Sequence, residues 1–170
     1  MTDVTPLAEL DTRYGEITDA FPWPEAWELL VRAELYWLST VRPDGRPHVT
    51  PLPAVWHDGA PHVCTGPEER KARNLAENPH CVLTTGTNEH WAGVDIVLEG
   101  TARRITGEAL LRELSAGWTA KYGSYWTYDV ADGMFRQGSG GGAVVFRIEP
   151  VTAFAFSKGE GRFGQTRYRF

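Results

Sequence analysis

Two Asp-Gly pairs constrain the fold of this chain more than any other feature. Asp44-Gly45 lies between Tyr36–Val41 and His48–Trp56, and Asp58-Gly59 lies between that second run and Pro61–Thr65. Glycine reaches positive φ without a Cβ clash, as tight hairpin turns require. The three apolar runs therefore read as an antiparallel meander. Pro51 and Pro53 have no N–H to give to a ladder, so the middle run stands at a sheet edge or bends at a bulge.

A short helix follows, predicted over Gly66–Asn78. Gly66-Pro67 opens it and Pro79 closes it, with Glu68 and Glu69 at its positive end. Arg70, Lys71 and Arg73 fall within about one turn, directly after Thr65. A hydroxyl and several cations in one place suit a phosphate monoester. Charge alone fits a solvated helix face better.

The rest of the chain supplies a core and a barrel. Residues 1–20 are polar and weakly patterned, and read as a loose or partner-wrapping arm. Trp27, Leu30 and Val31 share a face, which predicts a helix over Glu25–Ala33. His80–Thr85 and Val94–Ile105 read as strands. Leu110, Leu111, Leu114 and Trp118 give an apolar stripe on a helix over Gly107–Tyr122. Gly123–Gly142 reads as a loop that could act as a lid. Ala143–Ile148 and Val151–Ser157 read as two strands, and Thr166–Phe170 as a possible last one. Short antiparallel strands in this order close most naturally into a small barrel, which removes exposed edges.

Composition excludes several function classes. With 170 residues, 42% hydrophobic and 23% charged, the chain is long enough for one globular core. A net charge of −5 argues against a general nucleic-acid binder. No apolar run approaches membrane-spanning length and no basic, apolar leader opens the chain, so a cytoplasmic protein is expected. The five histidines show no HExxH spacing, and the two cysteines, Cys64 and Cys81, show no CxxC. No metal site is expected. There is no GxSxG and no GxGxxG before a helix, and GSGGG at 138–142 lacks the Lys-Ser or Lys-Thr of a P-loop.

The ordered set strand–DG–strand–DG–strand–T–x₄–RKARNL–x₂–NP–strand resembles the pyridoxamine 5′-phosphate oxidase-like proteins over roughly residues 30 to 157. The resemblance implies a mainly β, α+β fold: a six-stranded antiparallel split β-barrel with peripheral helices, in one domain. It also implies a homodimer with cofactor sites between subunits. The cofactor would be FMN, or the deazaflavin coenzyme F420, on a protein that oxidises or reduces a small molecule with NAD(P)H as a possible electron donor. Its phosphate would be held by the strand His48, Val49, Thr50, Pro51 and Leu52, by Thr65, and by Arg70 and Lys71, with Cys64 a further cofactor-binding candidate. Asp95 falls near where the oxidase has a glutamine at the flavin ring. Apart from the resemblance, the alternating aromatics and arginines of the C-terminal tail suggest that Arg167 lies near the cofactor or the dimer interface. Val49 and Ala54 stand where the oxidase has an arginine and a lysine, and its Arg-Leu-Ala-Pro ending is absent. Pyridoxamine phosphate is therefore not the expected substrate. No catalytic residue is indicated, because the flavin ring itself carries the electrons. A non-catalytic protein that carries a flavin or haem is the alternative.

Overall fold

The structure, a computed structural model, describes residues 5–14, 17–138, 141–159 and 162–170. Its strands are β1 (Leu7–Leu10), β2 (Tyr36–Val41), β3 (Pro47–Leu52), β4 (Val55–His57), β5 (Ala60–Thr65), β6 (His80–Thr85), β7 (Gly93–Ile105), β8 (Asp129–Ala131), β9 (Met134–Arg136), β10 (Gly142–Gly159) and β11 (Arg162–Arg169). The helices are α1 (Trp23–Arg32), α2 (Arg70–Glu77) and α3 (Glu108–Tyr122). Every strand pairing is antiparallel.

Both expected hairpins form. Gly45 has φ 81°, while Asp58 and Gly59 have φ 47° and 72°, the left-handed pair a two-residue turn needs. The run His48–Trp56 is not one strand, however. β3 pairs with β2, from Pro47↔Val41 to Leu52↔Tyr36, and β4 pairs with β5, starting at Val55↔His62. The chain leaves one neighbour and joins the other across Pro53-Ala54, so β3 and β5 are not ladder partners as a simple meander would have them. Extending the β4–β5 register would set Pro53 opposite Cys64 and Pro51 opposite Gly66. Neither proline can donate, so those rungs are missing and a seam stays open.

The remaining ladders run β3–β2–β6–β7–β10–β5–β4. Counting β3 and β4 as one bent stave, this is a six-stranded ring interrupted only at the seam: the expected split barrel. β10 is one strand where the sequence suggests two. It follows β7 along its whole length, with a register shift between Pro150 and Thr152 that accommodates the proline. Gly100 of β7 makes this crossing possible, since a Cβ there would stand 2.6 Å from the Glu149 carbonyl oxygen.

The barrel interior holds Leu38, Leu52, Val63, Leu83, Leu98, Phe146 and Ile148, with Leu30 of α1 and Leu75 of α2 joining the same core. A second cluster packs Leu111, Leu114 and Trp118 of α3 against Val55, Val145 and Phe135. β10 is thus covered on both faces near its start, which explains its unbroken apolar run Ala143–Phe146.

Further stretches differ from the sequence reading. The helix expected over Gly66–Asn78 starts only at Arg70, after a turn at Pro67-Glu68. Leu7–Leu10, expected in a loose arm, pair as β1 with β11. Gly123–Gly142, expected to be a loop, contains a 3₁₀ turn at Ser124–Trp126 and the hairpin β8–β9, and β9 pairs with β10. The tail strand starts earlier than Thr166 and runs from Arg162.

Candidate functional site

A cleft of about 300 Å³ opens at the seam, with Pro51 and Pro53 on one lip and Cys64, Thr65 and Gly66 on the other. Glu69 and Lys71 reach it from α2. The Thr65 side chain is buried, and its Oγ1 has no hydrogen-bond partner. The Lys71 side chain is only 12% exposed, and its ammonium pairs with the Glu69 carboxylate. The other Glu69 oxygen accepts from Gly66 N–H at 2.9 Å. Burial would raise the Glu69 carboxyl, but the Lys71 bond and charge and the Gly66 N–H outweigh it and hold the group below its ordinary pKa.

More positive charge surrounds this point. Arg70 is exposed and has no ion-pair partner among the described residues, whereas Arg73 is taken by Glu68 at 2.5 Å. Burial, then the charges of Arg42, Lys71 and Arg70, depress the His48 imidazole, so it is neutral near pH 7. His48 Nδ1, Thr50 Oγ1 and Arg42 Nε are buried without partners as well. Asn74 fastens α2 to the barrel through a 2.9 Å bond from its Nδ2 to Thr40 Oγ1. Buried polar atoms in native proteins are normally bonded. Of these orphaned atoms the Thr65 hydroxyl lines the cleft, and an unbonded hydroxyl beside the Lys71 ammonium fits a phosphate ester.

The kink beside the cleft is held from outside the ladder. Ala54 N–H donates to the Tyr122 hydroxyl at 3.1 Å, and Ala54 O accepts from Tyr122 and from Lys121 Nζ, each at 2.9 Å. Burial pushes the Lys121 pKa down to about 8.

The far wall of the cleft is aromatic, and the sequence reading missed it. Trp126, Tyr128 and Phe135 line it, with Tyr128 and Phe135 stacked at 4.6 Å and 6°. The signal was present: Asp132-Gly133, with φ 56° and 64°, is a third hairpin pair. Cys64 faces this wall, 3.8 Å from the Tyr128 hydroxyl, and burial pushes its thiol up to about 11, so it is no nucleophile.

Not all the expected residues meet here. Thr65, Lys71, Pro51, Leu52 and Cys64 line the cleft, and Arg70 and His48 lie close enough to Lys71 for their charges to interact. Val49 points outward and is 51% exposed. Asp95 pairs with Lys158 at 2.7 Å, and Arg167 pairs with Glu9. Within one chain these last two are far from Thr65. Thr65 is level with the β7 end at Ile105, and from residue 105 back to residue 95 is about 30 Å of strand.

A larger cleft of about 550 Å³ lies between α1 and the ends of β6 and β7. It contains none of the expected site residues, and its one arginine, Arg32, is paired with Glu28 at 3.0 Å. The seam cleft has the unsatisfied Thr65 hydroxyl beside the Lys71 ammonium and is the better candidate. Among the described residues no group of three or more His, Cys, Asp or Glu side chains could hold a metal, and no helix is long and apolar enough to cross a membrane.

The ring of ladders and its seam define a split β-barrel of α+β build. The chain belongs to the pyridoxamine 5′-phosphate oxidase family, whose model matches residues 23–155. Solved structures with the same fold include a conserved hypothetical protein from Mycobacterium tuberculosis, at 19% identity and TM-score 0.66 over 81% of this chain and 85% of that one. A haem storage protein from Vibrio cholerae matches at 21% identity and TM-score 0.59, over 75% of this chain and 88% of that one. An F420 reductase matches at 21% identity and TM-score 0.57, over 74% of this chain and 93% of that one. No protein of curated function matches the chain by sequence.

Proposed function

We propose that the protein binds FMN with its phosphate in the seam and acts, as a homodimer, as an FMN-dependent oxidoreductase on a small molecule. The observation that carries this reading is the buried, unbonded Thr65 hydroxyl beside the nearly buried Lys71 ammonium, at a seam kept open by two prolines. When bound, the flavin supplies hydride and electron transfer. The chain's part is to bind and orient it. Lys71 and Arg70 balance the phosphate charge, Thr65 gives it a hydroxyl donor, and Trp126 and Tyr128 exclude water from the cleft. NAD(P)H is the proposed donor.

F420 is the alternative cofactor, because an F420 reductase shares the fold. A haem carrier is the alternative of another class, because a haem storage protein shares it too. The absorbance spectrum of the purified protein separates flavin, deazaflavin and haem. Titration then tests the site. Lys71→Ala is expected to weaken FMN binding by about ten- to a hundredfold, since a charge-assisted bond to phosphate contributes about 1.5–3 kcal/mol. Riboflavin, which has no phosphate, should bind the variant and the wild type alike. Equal loss for both ligands would mean that α2 positions the ring and does not hold the phosphate.

A further inference from the structure

The anion site of the seam already holds an anion, and it belongs to the chain itself. Glu69 directly precedes α2, and its carboxylate bridges Gly66 N–H and Lys71 Nζ. The adjacent Glu68 turns the other way: it is 84% exposed and pairs with Arg73. A Cβ at position 66 would stand 3.1 Å from Glu69 Oε1 and 3.4 Å from its Cγ, close enough to push the carboxylate back by a few tenths of an ångström. The Thr65 hydroxyl on the same lip is left without a bond.

These are the donors a phosphate would need. A carboxylate and a phosphate monoester cannot both occupy them, because two anions within hydrogen-bonding reach of one ammonium repel each other at short range. We infer that Glu69 is an internal occupant of the phosphate site, which the ligand's phosphate must displace from Lys71 and Gly66. The inference rests on the phosphate reading of the seam. It adds that the site's affinity is set by a competitor built into the chain.

The arrangement explains two further observations. Lys71 is 12% exposed, and an unpaired ammonium so enclosed is costly, so the Glu69 carboxylate offsets its charge. The Glu69 side chain is 53% exposed, so it can rotate into water without disturbing α2. The class of ligand follows as well. The displacing group must outdo a carboxylate, which points to a phosphate monoester carrying about two negative charges near pH 7.

The test is the affinity of the whole protein for FMN and for riboflavin, by fluorescence titration, in wild type, Glu69→Gln, Glu69→Ala, Lys71→Ala and the double variant Lys71→Ala/Glu69→Gln. Thermal melts confirm that each is folded, and Glu69→Ala serves if Glu69→Gln is not. The expected result is FMN binding at least about tenfold tighter in the Glu69 variants, with riboflavin unchanged. The gain should shrink on the Lys71→Ala background, because both residues act at one place. If Lys71→Ala weakens FMN but the Glu69 variants bind it no more tightly, Glu69 is no competitor and the inference falls while the phosphate reading stands. If Lys71→Ala leaves FMN binding unchanged, the phosphate reading falls and takes the inference with it. An equal gain for riboflavin also overturns the inference, because the carboxylate would then be obstructing the ring.

Discussion

His62 shows how much a single buried side chain can govern. It is fully buried, its Nδ1 is 3.1 Å from Ala60 O, and its Nε2 has no partner. Burial, then the Arg147 charge, depresses its pKa to about 4, with His57 adding to the effect and Asp58 opposing it. The unfolded chain takes up this proton near pH 6.5, whereas the folded protein resists until about pH 4. Stability is therefore complete above pH 6.5 and falls as pH is lowered through that window, by about 3 kcal/mol in all. His62→Gln should flatten the dependence of the melting temperature on pH between 6.5 and 4. An unchanged slope would place the acid sensitivity elsewhere. Residues at the seam were legible in sequence to different degrees. Thr65, Arg70 and Lys71 could be read because seven consecutive residues bring them together. Glu69 could not, since an acidic residue before a helix reads as a partner of the dipole, and its turn back to Gly66 is a matter of side-chain geometry. Asp95 is placed by resemblance and Arg167 by the alternation of aromatics and arginines in the tail, and neither signal reports that these residues belong to the other half of the sheet.

At the scale of elements, the C-terminal end of α3 carries two duties. Lys121 and Tyr122 satisfy the Ala54 peptide at the kink, and the chain that follows directly builds the aromatic wall at Trp126 and Tyr128. Tyr122→Phe removes the only hydrogen bond to Ala54 N–H among the described residues. A lost partner for a buried donor costs about 1–3 kcal/mol, which urea unfolding would measure. FMN affinity should fall with it, because Pro53 on the cleft's lip would lose its neighbour's anchor. A drop in stability with FMN affinity intact would mean that the clamp serves the fold only. The Asp-Gly pairs at 44–45 and 58–59 were read correctly from their flanking apolar runs. The same signal at Asp132-Gly133 was obscured by the short strands around it and by the glycines from 138 onward. The continuity of β10 through Pro150 was also hidden, because proline ordinarily ends a strand and only the register shift against β7 reveals how it is tolerated.

Across the whole molecule, one row of register partners crosses seven strands on the outer face of the sheet. It runs Pro51, Trp37, Thr84, Val97, Phe154, Arg167 and Glu9. Trp37 is 47% exposed on it, and Phe154 stacks with Phe156 beside it. A sheet face that carries an exposed tryptophan beside half-buried Val97 and Phe154 is a natural surface for a second copy. It is also the only way Asp95 and Arg167 could approach a seam, since within one chain they lie too far away. Light scattering at micromolar protein should give a dimer, and Trp37→Glu should give a folded monomer. A wild-type monomer would remove both the dimer and any role for Asp95 and Arg167 at the site.

The seam also bears on how the protein is made. β5 is complete at Thr65, yet its partner on β10 begins at Val144, roughly eighty residues later. At about 5–20 residues per second, the ribosome takes about 4–16 s to deliver that partner. Throughout this interval the barrel is an open sheet, and an open edge invites pairing with other nascent chains. The β3 edge of that open sheet carries Pro51, with Pro53 directly after the strand, and neither offers an intruder an N–H. The same two prolines that leave room for a ligand in the finished barrel therefore protect the unfinished one while its last stave is still being synthesised.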